Sequence, residues 1–283
     1  MKLTSEILFY LEAGLQIAEV SGLFPTEYDH KQTIEKKLDP LTTQFPGSRL
    51  QMSILGAMTT FTIEESEWSK LSGKTILIVG GSRSGGIGRA AVEIAHRNNA
   101  NVTLGDWNEE EGEDMSKELK DRFYFQKCDV TQWDSILDLF EAIVSKFGEI
   151  HAVLSNAGIA GENFLADEID PRTGRLVAPD LKTLDFNLYG MTYVTKAALH
   201  HFSKWPETQC QLELTGSVAS YIDGYSIPLY NASKMGVLGL VRGLRCMLYG
   251  KNVSLNMVAP VSKPIAMNRT VDFTFLSVLR SLD

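Results

Sequence analysis

Along this 283-residue chain, apolar positions follow two rhythms, and the change between them falls near position 75. Thr75-Ile76-Leu77-Ile78-Val79-Gly80 is a short unbroken apolar run closed by glycine, which predicts a strand buried on both faces over 75–80. The run is followed by helical spacing over 86–99, a second strand at 101–105, a charged surface helix at 109–120 and a third strand at 123–127. The most regular helix spans 131–147. Trp133, Ile136, Leu137, Phe140, Ile143, Val144 and Phe147 make one stripe on it, with Thr131 placed to cap it and Gly148 to end it. Strands at 151–155, 211–215 and 253–258 then alternate with helices at 180–202 and 228–249. Strand and helix alternate without hairpin signals, so the expected class is α/β: a doubly wound parallel sheet with right-handed crossovers.

Residues 1–57 follow a different rhythm. Thr4 or Ser5 can cap a helix running to about Val20, with Ile7, Leu8, Leu11, Leu15 and Ala18 at helical spacing. After Gly22 the pattern breaks, and Pro25, Pro40, Pro46 and Gly47 punctuate a polar stretch. The expectation is an N-terminal extension, 1–57, mostly irregular with one helix, ahead of a main domain at 58–283.

Composition narrows the function classes. The net charge of −8 lacks the basic footprint of a nucleic-acid or anionic-membrane binder. The three cysteines, Cys128, Cys210 and Cys246, are far apart and form neither a disulfide framework nor a zinc spacing. No apolar run reaches the length of a membrane span, and the acidic N-terminus reads poorly as a targeting peptide. A soluble, cytoplasmic protein acting on a small molecule is expected.

The candidate chemistry begins where the first strand ends. Gly80-Gly81-Ser82-Arg83-Ser84-Gly85-Gly86-Ile87-Gly88 joins a strand to a helix, and glycines there let backbone approach a pyrophosphate at a helix N-terminus. Asp106 follows at the end of the second strand, 20 residues after Gly86, where a carboxylate accepts hydrogen bonds from an adenosine ribose. Gly81, Ser82, Arg83, Gly86, Ile87, Gly88 and Asp106 are therefore candidate cofactor-binding residues. Asp106 favours NAD because it repels a 2′-phosphate. Arg83 keeps NADP open, and a turn or cap role for Asp106 is the alternative. Asp129, with Val130 beside it, ends the third strand and reads equally as an adenine contact or as a helix cap. Asn156-Ala157-Gly158 ends the fourth strand with small residues next to the cofactor, and Asn156 is placed to bind main chain across the sheet.

Tyr230 and Lys234 lie four residues apart on a predicted helix and share a face. A phenol titrates near a pKa of about 10, and an ammonium one turn away stabilises the phenolate. Ser217 lies 13 residues before Tyr230, at a strand end where its hydroxyl can polarise a substrate oxygen.

In this order, the glycine loop, Asp106, Ser217, Tyr230 and Lys234 resemble the short-chain dehydrogenase/reductase family, in its single-domain NAD(P)-dependent branch with a Rossmann-type fold. The likeness runs from about Lys74 to Pro260. It implies Tyr230 as general acid/base, with Lys234 lowering its pKa and binding the nicotinamide ribose, and Ser217 orienting the substrate oxygen. It further implies that Asn187 holds a water in a proton relay; the alternative is a buried residue bonding backbone, a placement the relay role requires as well. Asn156 matches a structural Asn-Ala-Gly segment, and Pro260 the strand end beside the nicotinamide. Thr215–Ser220 and the loop at 162–179 are similar to fungal members like 15-hydroxyprostaglandin dehydrogenases, which implies a lipid, terpenoid or polyketide alcohol of secondary metabolism as substrate. Association as a homodimer or homotetramer through the two long helices is also implied.

Three departures from the family pattern shape the expectations. The glycine loop carries one extra residue. Ser262 stands near where a threonine usually bonds the carboxamide. Residues 268–283 do not resemble the family's last strand, so a sheet lacking that strand is expected, while Met58 opens a stretch that reads like a family N-terminus. The alternative function is a truncated, non-catalytic nucleotide-binding relative.

Overall fold

The run Thr75–Val79 forms β1, and every one of its residues is buried. The computed structural model describes residues 65–161, 164–222 and 227–260, all within the unit Thr62–Asp283. The expected helix within 1–57, the 57/58 boundary, Ser262 and the expected loss of a last strand after Pro260 lie outside the described residues.

β1 is followed by β2 (Asn101–Asp106), β3 (Phe123–Lys127), β4 (Ala152–Ser155), β5 (Cys210–Thr215) and β6 (Val253–Val258). They form one sheet in the order β3-β2-β1-β4-β5-β6, and every neighbouring pair is parallel. The expected doubly wound, Rossmann-type sheet is present. The chain fills one side of β1 as far as β3 and then crosses to β4, so β1 and β4 flank the switch point, where such sheets open a crevice at their carboxyl ends.

After a single turn at Glu65–Trp68, the helices that flank the sheet are α1 (Ile87–Arg97), α2 (Glu109–Leu119), α3 (Trp133–Phe147), α4 and α5 (Pro228–Met247). α4 joins Lys182–Leu184, a wider π-helical stretch Asp185–Gly190, and Met191–Phe202. Alternation along β1 divides the core. Ile76 and Ile78 pack with Ala91, Val92 and Ala95 of α1 and Met115 of α2. Leu77 and Val79 pack on the opposite face with residues of α3, α4 and α5, including Phe140, Val194 and Val237. Truncating a fully buried ring such as Phe140 costs about 3–5 kcal/mol.

Some boundaries and caps differ from expectation. Thr131 does not cap α3: its hydroxyl donates to Asp129 Oδ1 at 2.8 Å, and Gln132 takes the N-cap position without a side-chain bond. Gly148 does end α3, at φ +80°, with its N–H donated to Val144 O. α4 starts at Lys182 because the Asp180 carboxylate accepts from the Lys182 N–H at 3.0 Å. The connection from β4 to α4 contains a hairpin that the strand–helix alternation did not predict. Ile169 and Leu176 form an antiparallel bridge, and the turn between them closes on Asp170 and on Gly174 at φ +65°.

Candidate active site

The glycine loop is built by close approach. A Cβ on Gly81 would lie 2.8 Å from Gly88 C, and one on Gly88 would run into the Gly80 carbonyl and lie 2.8 Å from Asn156 Nδ2. The extra residue is absorbed in a turn at the loop tip: Gly86 N–H donates to Arg83 O at 3.1 Å, and Gly85 takes φ +71°. Gly86 is the N-cap of α1, whose first turn carries no acid. Free N–H groups and the positive dipole end therefore face an open cradle of the kind a pyrophosphate fills.

The loop borders a cleft of ≈ 430 Å³ lined by Gly80, Gly81, Ser82, Arg83, Gly86, Gly88, Asp106, Val130, Asn156, Ala157 and Gly158 among others. Sequence reasoning missed Trp107, Asn108, Glu111, Cys128, Ile159 and Phe186, which also line it. Trp107 directly follows Asp106 and is 70% exposed. Its position beside the motif acid was the only signal available. Ile87, Asp129 and Pro260 are not among the lining residues.

The Asp106 carboxylate is buried and already engaged. Oδ2 accepts the N–H groups of Gly81 at 2.8 Å and Ser82 at 3.0 Å, and Oδ1 accepts that of Asn108 at 3.0 Å. It therefore anchors the loop that it faces. Asp129 spends Oδ1 on the N–H and hydroxyl of Thr131, a local turn rather than a cap on α3.

At the centre, Asn156 Nδ2 donates to Gly80 O at 2.6 Å, and Asn156 Oδ1 accepts from the Thr215 hydroxyl at 3.2 Å, tying β4 to the glycine loop and to β5. Asn187 is fully buried in the π-helical turn. Its side chain exchanges two 2.8 Å bonds with the Ile159 backbone and donates to Ser233 Oγ at 3.1 Å. These bonds clamp the segment after Gly158 onto α5, in the placement that the backbone-bonding and water-holding readings both require.

Ser217, Tyr230 and Lys234 gather where β5 meets α5. Ser217 opens a short 3₁₀ turn, Val218–Ser220, and its Oγ accepts from Ala219 N–H at 3.1 Å. Ser220 Oγ donates to Lys234 O at 2.8 Å, and Lys234 Nζ donates to Thr215 O at 2.8 Å, so both bonds tie the end of β5 and the turn after it to Lys234 of α5. Pro260 joins by accepting Val218 N–H at 3.1 Å. Lys234 is only 3% exposed, and burial pushes its ammonium down to about 8. Its Nζ lies 5.7 Å from the centre of the Tyr230 ring, and a Cβ on Gly158 would lie 3.6 Å from it. One of its three N–H groups is used by Thr215, and the cleft reaches Gly158 beside it. Among the described residues no acid/Cys/His group could hold a metal, and no helix is long and apolar enough to cross a membrane.

A family model described as short chain dehydrogenase matches residues 74–272. The short-chain dehydrogenase/reductase prx4 of Penicillium rubens is 32% identical over 205 residues, 72% of this chain and 59% of the relative. The chain thus spans less than two-thirds of that relative's length. A (+)-borneol dehydrogenase of Salvia officinalis is 30% identical, with 68% of this chain and 70% of the relative covered. Among solved structures, a 3-ketoacyl-(acyl-carrier-protein) reductase from Brucella melitensis complexed with NADH has the same fold, with a TM-score of 0.60, 22% identity and coverage of 68% and 76%.

Proposed function

Because the chain belongs to the short chain dehydrogenase family, we propose that it is an NAD(P)-dependent oxidoreductase interconverting a secondary alcohol and a ketone. The observation that carries this reading is the Lys234 ammonium. It is buried, shares a helix face with Tyr230, and sits beside Gly158 with N–H groups left over after its bond to Thr215. A buried ammonium is costly unless it is paired and hydrogen-bonded, so those N–H groups call for a ligand's hydroxyls.

Gly81, Gly86 and Gly88 with the α1 N-terminus would hold the pyrophosphate, Asp106 the adenosine ribose, and Lys234 the nicotinamide ribose. When bound, the cofactor supplies the hydride acceptor or donor. Tyr230 manages the proton: its phenolic oxygen takes the alcohol's hydroxyl proton in oxidation and returns it to the ketone oxygen in reduction. Lys234 stabilises the negative charge on that oxygen. Ser217, with its hydroxyl hydrogen free to point away from Ala219, donates to the substrate oxygen. Asn187 contributes by holding Ile159 and Ser233 in place around these groups.

NAD is the proposed cofactor, since the Asp106 carboxylate opposes a 2′-phosphate, with exposed Arg83 as the feature that favours NADP. The proposed substrate is a bulky apolar alcohol, such as a lipid, terpenoid or polyketide intermediate. Two observations support that class: the relative named for borneol, and the hairpin between β4 and α4, which leaves Ile169 and Leu176 more than half exposed. Self-association through α4 and α5 is proposed alongside.

Reduced-cofactor formation by the purified chain over a panel of secondary alcohols, with NAD⁺ and NADP⁺ in parallel, tests the reading. Turnover of any alcohol with either cofactor supports it. Tight cofactor binding without turnover of any alcohol or ketone refutes it in favour of a non-catalytic nucleotide-binding relative.

A further inference from the structure

We propose that Glu111 is a second cofactor-reading acid, which takes one ribose hydroxyl of an unphosphorylated adenosine and so selects NAD over NADP. The proposal rests on the cofactor reading above and concerns one end of the same cleft.

The acceptor capacity of Asp106 is nearly used up. A carboxylate offers about four lone-pair directions, and three are taken by backbone N–H groups of Gly81, Ser82 and Asn108. One direction remains, whereas an adenosine ribose presents two hydroxyls, each a donor. Asp106 alone cannot satisfy both.

Glu111 lines the same cleft, beside Asp106 and Asn108. Its backbone N–H is bound by Asn108 Oδ1 at 3.3 Å, which fixes where the first turn of α2 enters the cleft wall. Its Oε2 is buried and has no hydrogen-bond partner among the described residues. A buried carboxylate oxygen without a donor is costly. That oxygen is closed to solvent in this conformation, and no partner holds it there, so a turn of the carboxyl toward the cleft removes the cost by giving it a ribose hydroxyl as donor.

The same pair of acids disfavours a 2′-phosphate. A dianion would meet two carboxylates, one of them held rigidly by the loop. The cation in the lining that favours it, Arg83, is exposed to solvent, where its attraction is screened. Glu109 and Glu110, the other acids in the first turn of α2, do not line the cleft. They act on the helix dipole without reading the ligand.

Direct titration of the purified chain with NADH and NADPH tests the assignment without reliance on turnover. Glu111→Gln is compared with Glu110→Gln, which removes one first-turn charge outside the cleft and controls for the dipole. The expected result is that Glu111→Gln weakens NADH binding about tenfold, as for one lost charged hydrogen bond of 1.4 kcal/mol, and narrows the NADH/NADPH preference. Glu110→Gln leaves both affinities as in the wild type. Equal NADH affinities for Glu111→Gln and wild type overturn the proposal, as does an equal loss for NADH and NADPH, which marks a merely structural role. If the wild type binds neither nucleotide, the cofactor reading itself fails, and that outcome is distinct from the other two.

Discussion

Replacing Asp106 by alanine removes the acceptor for three backbone N–H groups at once. Two of them, Gly81 and Ser82, belong to the glycine loop, and the third, Asn108, precedes α2. A hydrogen bond to a charged group contributes about 1.5–3 kcal/mol. Water entering the cleft restores part of each loss, so the expected net destabilisation is about 3 kcal/mol. For a domain of this size that lowers the melting temperature by about 6–12 °C. The loop it releases carries the pyrophosphate cradle, so the affinities for NADH and NADPH both fall. Asp106→Asn keeps one acceptor oxygen and should lie between wild type and alanine on both scales. Thermal unfolding and fluorescence titration with each nucleotide measure these effects. If Asp106→Ala melts with the wild type and binds NADPH more tightly, the carboxylate is a ribose reader alone and its anchoring of the loop contributes nothing.

Three further outcomes follow from the geometry. Gly88→Ala drives a methyl group into the Gly80 carbonyl and to 2.7 Å from Gly81 Cα, so nucleotide affinity should fall about 100-fold or more, equivalent to roughly 3 kcal/mol, in equilibrium titration. Burial lowers the Lys234 ammonium to about 8 from 10.5. Between those values the unfolded chain binds more protons than the native one, so the stability of the cofactor-free protein gains a contribution that rises with pH across that interval. Lys234→Met should abolish that rise in denaturant titrations at pH values spanning the interval. The Ile169→Ser/Leu176→Ser pair changes two exposed side chains of the hairpin. It should raise KM for large apolar alcohols several-fold while leaving small alcohols and nucleotide affinity unaltered, and equal KM values for both alcohol classes would show that the hairpin does not meet substrate.

The sheet was legible first in its central strands β1 and β4, which are buried on both faces. The apolar runs at Thr75–Val79 and Ala152–Ser155 leave no alternative period, and the glycines that follow β1 mark the loop whatever its detailed path. Tyr230 and Lys234 were legible as a pair, since a helix brings residues four apart onto one face, whereas Ser217 stands at the end of β5 and stood out only in combination with the other motifs. Other features depend on tertiary geometry that spacing does not encode. The Asp106 carboxylate turns toward the backbone of its own loop, and only the folded path of Gly81 and Ser82 reveals that. Glu111 reads in sequence as one of three acids favoured at a helix start, and only its nearness to the cleft separates it from Glu109 and Glu110. The π-helical turn at Asp185–Gly190 keeps helical composition, so periodicity passes through it unmarked. The hairpin around Ile169 and Leu176 was missed because a single bridged pair carries too little alternation to register against the surrounding loop.

The most direct test of the central claim is the single-turnover rate of alcohol oxidation by wild type and by Tyr230→Phe, measured with saturating nucleotide on an alcohol the wild type accepts. The expected result for Tyr230→Phe is a rate loss of about 10²–10⁴-fold, the range for removing a positioned acid/base, with NADH affinity unchanged. A Tyr230→Phe protein that turns over at the wild-type rate would contradict that claim.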